Sequence, residues 1–280
     1  MSPSDVQVSV LACSDERLSA ALQYVLDTPG KQLRARLVTT SYRMLSQRPC
    51  DAVVSVATAI EWLHAYSLVH DDLPAMDDDP LRRGKPTVHT VYDDATAILV
   101  GDGLQAAAFA LISREHRLSA EIRIKLVELI SDAVGFGGMV GGQALDMAAE
   151  GAAVPIEHLK TIHSQKTGAL IRAAVLAGAL CADASDSDME CLDHFARSIG
   201  LAFQIADDVL DVTQTSATLG KTAGKDLAVD KSTYVRHLGL EGARAEAENL
   251  LAAALDGLGR YGDSADGLAE LAKAMVRRSS

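Results

Sequence analysis

The sequence predicts an all-α protein, and three observations carry that expectation. Apolar residues recur at three- and four-residue steps, as in Val53, Ala57, Ile60 and Leu63 and in Leu104, Ala107 and Leu111, which is the spacing of one helical face. Alanine and leucine, both strong helix formers, dominate, and only 7 of 280 residues are proline. Alternating runs of Val, Ile and Thr, the mark of half-buried strands, are nearly absent.

The breaks between helical stretches carry Gly, Pro and polar clusters: TPGK at 28–31, LPAMDDDPLRRGKP at 73–86, ADASDSD at 182–188 and TSATLGKTAGKD at 215–226. None is long or biased enough for an interdomain linker, so one helical domain over 1–280 is expected. The apolar fraction of 48% excludes a disordered chain. The balance of 26 Lys+Arg against 38 Asp+Glu gives −12. That argues against nucleic acid, and against an anionic membrane surface, as the partner, because both need a basic face. Cys13, Cys50, Cys181 and Cys191 form no CxxC pair; they read as reduced thiols of a cytoplasmic protein. No signal peptide is visible, and the apolar stretch LIRAAVLAGALCA is 13 residues long, too short to span a bilayer.

In order along the chain, the first apolar helix runs directly into EWLHAYSLVHDDLPAMDDD, with Asp71, Asp72, Asp77, Asp78 and Asp79 within nine residues. Pro74 disfavours helix at Leu73, so the helix should end near Asp72. Its negative end is a poor place for carboxylates. A break at Pro74 also lets the chain curl and bring Asp77 back towards Asp71. A solvated acidic turn is the plain alternative. A divalent cation would relieve both conflicts, and oxygen donors without cysteine suit Mg²⁺, which takes one or two carboxylates and leaves positions for water and substrate phosphates. Arg82, Arg83 and Lys85 follow at once. Cations there can grip the outer oxygens of a diphosphate or simply pair with Asp77–Asp79. The glycine-rich run GFGGMVGGQALD at 135–146 falls where helix is expected, and close helix packing is the usual reason for such glycines. Further on, FQIADDVLD puts Gln204, Asp207 and Asp211 on one helical stripe among apolar neighbours. Paired carboxylates at that spacing destabilise a helix unless a cation joins them.

Taken together and in this order, HDDLPAMDDDPLRRGKP, GGQALD, KTGAL, FQIADDVLD and LGKTAGKD with DKSTY resemble the trans-isoprenyl diphosphate synthases. The likeness is closest to short-chain bacterial enzymes of the farnesyl or geranylgeranyl type and runs from about residue 30 to about residue 235. It implies a bundle of long helices around a deep central cavity, usually a homodimer, that joins isopentenyl diphosphate head-to-tail to an allylic diphosphate. It further implies about three Mg²⁺ ions, held by Asp71, Asp72 and Asp77 on one side and by Asp207 with Asp208 and Asp211 on the other. By the same match Arg82, Lys166, Lys221 and Lys231 grip the allylic diphosphate. Lys31, Arg34, His64 and Arg83 form the isopentenyl diphosphate site, and Thr167 and Gln204 face the developing cation. Tyr66 and Ser67, five and four positions before Asp71, would floor the cavity and stop the product at C15, farnesyl diphosphate.

Local arithmetic supports parts of this. His64 lies two turns before Asp71 and shares its face, whereas nothing supports a ligand role for His70. Lys31 and Arg34 are three apart and could grip one diphosphate from one face. Gln143 and Asp146 could line the cavity. The family's usual GGKRLRP appears here as PGKQLRA, and the segment before Lys31 looks short for the family. The alternatives are a geranylgeranyl or geranyl synthase, a terpene cyclase, or a non-catalytic prenyltransferase subunit. The intact second aspartate motif and the Lys31/Arg34/His64 set argue against the last two.

Overall fold

Four of the helices begin where the chain supplies a capping side-chain oxygen. In the computed structural model, which describes residues 7, 9–46, 48–49, 51–213 and 232–277, the Asp15 carboxylate accepts from Leu18 N–H at 2.7 Å and opens α1 (Glu16–Leu26). Asp93 does the same for α5 (Asp94–Ser113), accepting from Thr96 N–H at 2.7 Å. Ser119 caps α6 (Ala120–Val134) and Thr233 caps α11 (Tyr234–Leu258). Each takes up a backbone donor that the first helical turn leaves unpaired.

Between these lie α2 (Leu33–Leu45), α3 (Asp51–Asp71), a short α4 (Val88–Val91), α7 (Met139–Ala148) and α8 (Ile156–His163). A single π turn, Ser164–Gly168, then leads into α9 (Ala169–Cys181), followed by α10 (Asp186–Thr213). A 3₁₀ segment, Gly259–Ala265, and α12 (Asp266–Val276) follow α11. The structure is all-α, as the apolar periodicity predicts. The one departure among the described residues is a two-residue ribbon pairing β1 (Leu81–Arg82) with β2 (Lys85–Pro86), inside the stretch expected to be irregular.

α9 is the axis of the core. Leu170, Ile171 and every residue from Ala173 to Ala179 are buried, and the helix packs against α2, α3, α6 and α10. The stretch LIRAAVLAGALCA is therefore a core helix. Its approach to α2 is close: a Cβ on Gly178 would lie 2.2 Å from Ser41 Oγ, and Ser41 Oγ donates across to Val175 O at 2.9 Å. Two other helices, α3 and α5, are long and apolar enough to cross a membrane by length and composition alone. α3 lies in the bundle, with Val53, Val56, Ile60 and Leu63 buried.

Two local expectations are corrected. The glycine-rich run is not continuous helix: the chain breaks at Gly135–Gly138 before α7 begins at Met139. Lys31 and Arg34 do not share a helix face. Gly30 (φ 65°) and Gln32 (φ 49°) are left-handed, so Lys31 lies in the turn and only Arg34 lies in the first turn of α2.

Candidate active site

The first acidic loop curls as Pro74 predicts. α3 stops at Asp71, and the chain then folds back so that Asp77 N–H donates to Asp71 O at 2.8 Å and Asp79 N–H to Asp72 O at 3.2 Å. Asp72 is buried and held by Arg82, whose Nε donates to both carboxylate oxygens at 2.7 and 2.9 Å. Burial still pushes the Asp72 carboxyl above its usual range, against the pull of Arg82. Asp71 is pushed up to about 6 by burial, with Lys166 opposing and the charges of Asp77 and Asp72 adding to the rise.

The ribbon aims the cations. Its two-residue turn is Arg83–Gly84, both left-handed (φ 54° and 75°), as tight hairpins require. This turn carries the Arg83 guanidinium back over the loop after α1, where it donates to Thr28 O at 2.6 Å. A Cβ on Gly30 would sit 2.3 Å from Arg83 Cζ, so glycine there lets the guanidinium lie against the backbone. Lys85 Nζ donates to Thr28 Oγ1 at 3.2 Å. Arg34, His64, Arg82 and Arg83 lie close enough to perturb one another. Burial, then the positive charges of Arg34, Arg83 and Arg82, hold the His64 imidazole well below its usual pKa, so it is neutral. Burial lowers the Arg34 guanidinium, while Glu61 and Asp207 sustain its charge. Glu61 was missed in the sequence. It accepts from Ala35 N–H at 2.8 Å, pinning the first turn of α2 to α3, and its place three residues before His64 was the available signal. A cavity of about 440 Å³ opens between α1, α2, α3 and the ribbon; His64, Arg82 and Arg83 line it, whereas Asp71 and Lys166 do not.

On the far side of Asp71, Gln143 Nε2 donates to Asp71 Oδ1 at 2.5 Å. Lys166 Nζ donates to Asp146 Oδ2 at 2.7 Å and stands 4.0 Å from Asp71 Oδ2. Gln143 thus touches the first motif directly and Asp146 reaches it only through Lys166, and neither lines the cavity described above. Lys166 and Thr167 sit in the π turn, a feature that often marks functional positions in helices and that the sequence did not announce. α7 packs directly on that turn. A Cβ on Gly142 would fall 2.1 Å from Lys166 N, which explains one of the glycines in GGQALD.

The second motif lies within unbroken α10, so Gln204, Asp207 and Asp211 do share a stripe. Asp207 and Gln204 are half-buried; Asp208 and Asp211 are buried. Asp208 turns towards α11 and accepts from Tyr234 N–H at 2.7 Å. Lys221 and Lys231, and the residues between them, lie outside the described residues. Tyr66 is buried beside His70, with ring centroids 5.8 Å apart, and Ser67 Oγ donates to His64 O at 2.9 Å. His70 is structural: its Nε2 lies 3.0 Å from Ile98 O, and the ring fills the notch left by Gly101 on α5.

Among the described residues no three His, Cys, Asp or Glu side chains converge as a ready-made metal cage. The donor set nonetheless fits Mg²⁺. Asp71, Asp72 and Asp77 are oxygen donors of like charge packed into one partly buried loop, and Mg²⁺ needs only one or two carboxylates when phosphate and water complete its shell.

A family model described as polyprenyl synthetase matches residues 15–266. Farnesyl diphosphate synthase from Escherichia coli (strain K12) is 50% identical over 235 residues, 82% of this chain and 78% of that protein. An apo FPP/GFPP synthase from Zymomonas mobilis superposes with a TM-score of 0.86 at 39% identity, covering 98% of this chain and 95% of that one. A geranyltransferase from Helicobacter pylori, complexed with magnesium and isoprenyl diphosphate, superposes at 0.85 and 33% identity, covering 98% and 94%.

Proposed function

The chain belongs to the polyprenyl synthetase family, and from that premise we propose how its residues do the work of a farnesyl diphosphate synthase. It condenses isopentenyl diphosphate with dimethylallyl or geranyl diphosphate and gives mainly the C15 product. One observation carries the reading: a partly buried run of alternating charges in which Lys166 stands between Asp146 and Asp71, while Arg34 is within electrostatic reach of both Arg83 and Asp207. Opposed acidic and basic groups at the mouth of an apolar bundle suit a polyanion attached to a hydrocarbon tail.

Asp71, Asp72 and Asp77 would hold Mg²⁺ on one side and Asp207 with Asp211 on the other, for about three ions in all. When bound, Mg²⁺ neutralises the charge that develops on the leaving diphosphate. The chain's own cations add to that. Lys166, held at the π turn, and Arg82 face the allylic diphosphate, joined by Lys221 and Lys231. Their positive charge stabilises the leaving group as the allylic C–O bond stretches. The oxygen dipoles of Thr167 and Gln204 stabilise the allylic cation without capturing it. Arg34, Arg83, Lys31 and neutral His64 grip isopentenyl diphosphate, whose double bond then attacks C1 of the allylic group. A proton is lost from the new chain to the released diphosphate. The apolar wall excludes water, which would quench the cation. Tyr66 and Ser67 would set product length. The exposed apolar stripe of α5 fits a homodimer, one polyprenyl synthetase domain spans 1–280, and the location is cytoplasmic.

The test is incubation of the purified chain with labelled isopentenyl diphosphate, dimethylallyl or geranyl diphosphate, and Mg²⁺. A linear, mainly C15 diphosphate is expected. A cyclised hydrocarbon, or no turnover, overturns the reading.

A further inference from the structure

Asp208 and the start of α11 are joined by a contact that the chemistry above does not use. Viewed down α10, Asp211 lies about 40° from Asp207, whereas Asp208 lies about 100° away. Asp207 and Asp211 therefore share a stripe that Asp208 leaves. Asp208 is 6% exposed, and its Oδ2 accepts from Tyr234 N–H at 2.7 Å. Tyr234 is the first residue of α11, so this carboxylate satisfies one of the orphan donors at the helix start and stands at the positive end of its dipole. Thr233 Oγ1 satisfies another, accepting from Arg236 N–H at 3.2 Å.

Ser232 and Tyr234 tie the start of α11 to the rest of the site. Ser232 Oγ donates to Ala152 O at 3.2 Å and accepts from Val154 N–H at 3.1 Å, in the loop before α8. The fully buried Tyr234 ring stacks on His163, centroids 5.6 Å apart at 26°. His163 is the last residue of α8, directly before the π turn that carries Lys166 and Thr167. That turn in turn lies on α10, where a Cβ on Gly200 would come within 3.0 Å of Gly168 Cα. A closed circuit results: Asp208, Tyr234, His163, the Lys166–Thr167 turn, and back to α10.

We propose that Asp208 is a positioning residue and not a magnesium ligand: by anchoring the first turn of α11 it holds the Asp207 turn of α10 in register with Lys166 and Thr167. The proposal rests on the prenyltransferase reading of the site, so its test has one arm that needs no turnover.

Asn caps helices about as well as Asp because its side-chain oxygen accepts the same bond, but it is a far weaker Mg²⁺ ligand. In metal-free protein, amide hydrogen exchange at residues 232–238 should accelerate in Asp208→Ala and stay slow in Asp208→Asn. In the assay, Asp208→Ala should lower kcat ~30-fold, the scale of loss when reacting groups are misplaced by a fraction of an ångström to 1 Å. Asp208→Asn should recover activity to within ~3-fold, since the cap survives. Neither variant should change the Mg²⁺ concentration giving half-maximal rate, whereas Asp207→Asn should raise it. Should Asp208→Asn be as impaired as Asp207→Asn with a raised Mg²⁺ requirement, or should Asp208→Ala leave exchange unchanged, the proposal is overturned. If Asp208→Ala does not fold, the Asn variant alone decides. Absence of prenyl transfer by the unmodified chain would count against the wider reading and leave the exchange result standing.

Discussion

Asp71 carries the sharpest conflict in the molecule, because the position that would serve it in the presence of a cation is costly without one. The folded chain keeps a proton on Asp71 up to about 6, against 3.8 for an unhindered aspartate. Between those values the folded state binds more protons than the unfolded one. Stability therefore falls as pH rises through the window, and the loss is complete above about pH 6. A shift of roughly two pKa units is on the order of 3 kcal/mol. Asp71→Asn keeps the Gln143 contact without the charge. It should raise the melting temperature of metal-free protein at pH 7 while lowering kcat by ~10²–10³-fold, as loss of a group stabilising transition-state charge does; calorimetry at pH 4 should find the two proteins nearly equal. A variant that melts lower at pH 7 would refute the conflict. Tyr66 poses a question of space. Its ring is buried against His70, with Gln105 of α5 beside its hydroxyl. Truncation to Ala opens room for another five-carbon unit. Tyr66→Ala should therefore shift the radiolabelled product from C15 towards C20; an unchanged profile would remove Tyr66 from the cavity floor.

At the scale of elements, the site depends on how closely α7 can approach the π turn. Gly142 sets that distance, since a Cβ there would meet Lys166 N at 2.1 Å and Lys166 Cα at 2.6 Å, both backbone atoms. Gly142→Ala should cost ~1–3 kcal/mol of stability, as overpacking typically does. It should also lower kcat more than tenfold by displacing Lys166, again the scale of small misplacements. Gly137→Ala, where a Cβ meets nothing within 4 Å, is the control and should do neither. The elements also mark the limit of what could be read from sequence. The shared face of His64 and Asp71 and the stripe of Gln204, Asp207 and Asp211 were legible because helical periodicity is local. The curl after Pro74 was legible because proline restricts its predecessor. The glycine pattern announced a close contact but not its partner, which lies some two dozen residues further on. The left-handed Arg83 and the Lys31 turn were not legible, because their conformations are chosen by contacts across the fold, such as Arg83 with Thr28. The same holds for Asp208 and Tyr234, 26 residues apart and joined only once α10 and α11 pack.

For the whole molecule the open question is what covers α5. This helix has a mean hydropathy of 1.6, and its inner face is already used, with Val100, Leu104, Ala107 and Leu111 buried. Its outer face leaves Ile98 44% and Leu99 54% exposed, with Ala95 and Ala106 in the same stripe. A helix apolar on all sides is covered on all sides, by protein or by lipid. Asp102 lies exposed in the middle of that face, where lipid contact would be expensive. A second copy of the chain, related by a twofold axis along α5, fits better, since each copy presents the same stripe. Burying one leucine is worth ~1.5–3 kcal/mol, and twofold symmetry counts it twice. Leu99→Asp removes both contributions and places two like charges in the seam. Light scattering should then report a dimer for the parent protein and a monomer for the variant at micromolar concentration. The loss should also reach the chemistry, because α5 supports α3 through the notch at Gly101 that His70 fills. A lower kcat in the monomer, with circular dichroism unchanged, is expected. A variant that stays dimeric would put the seam elsewhere.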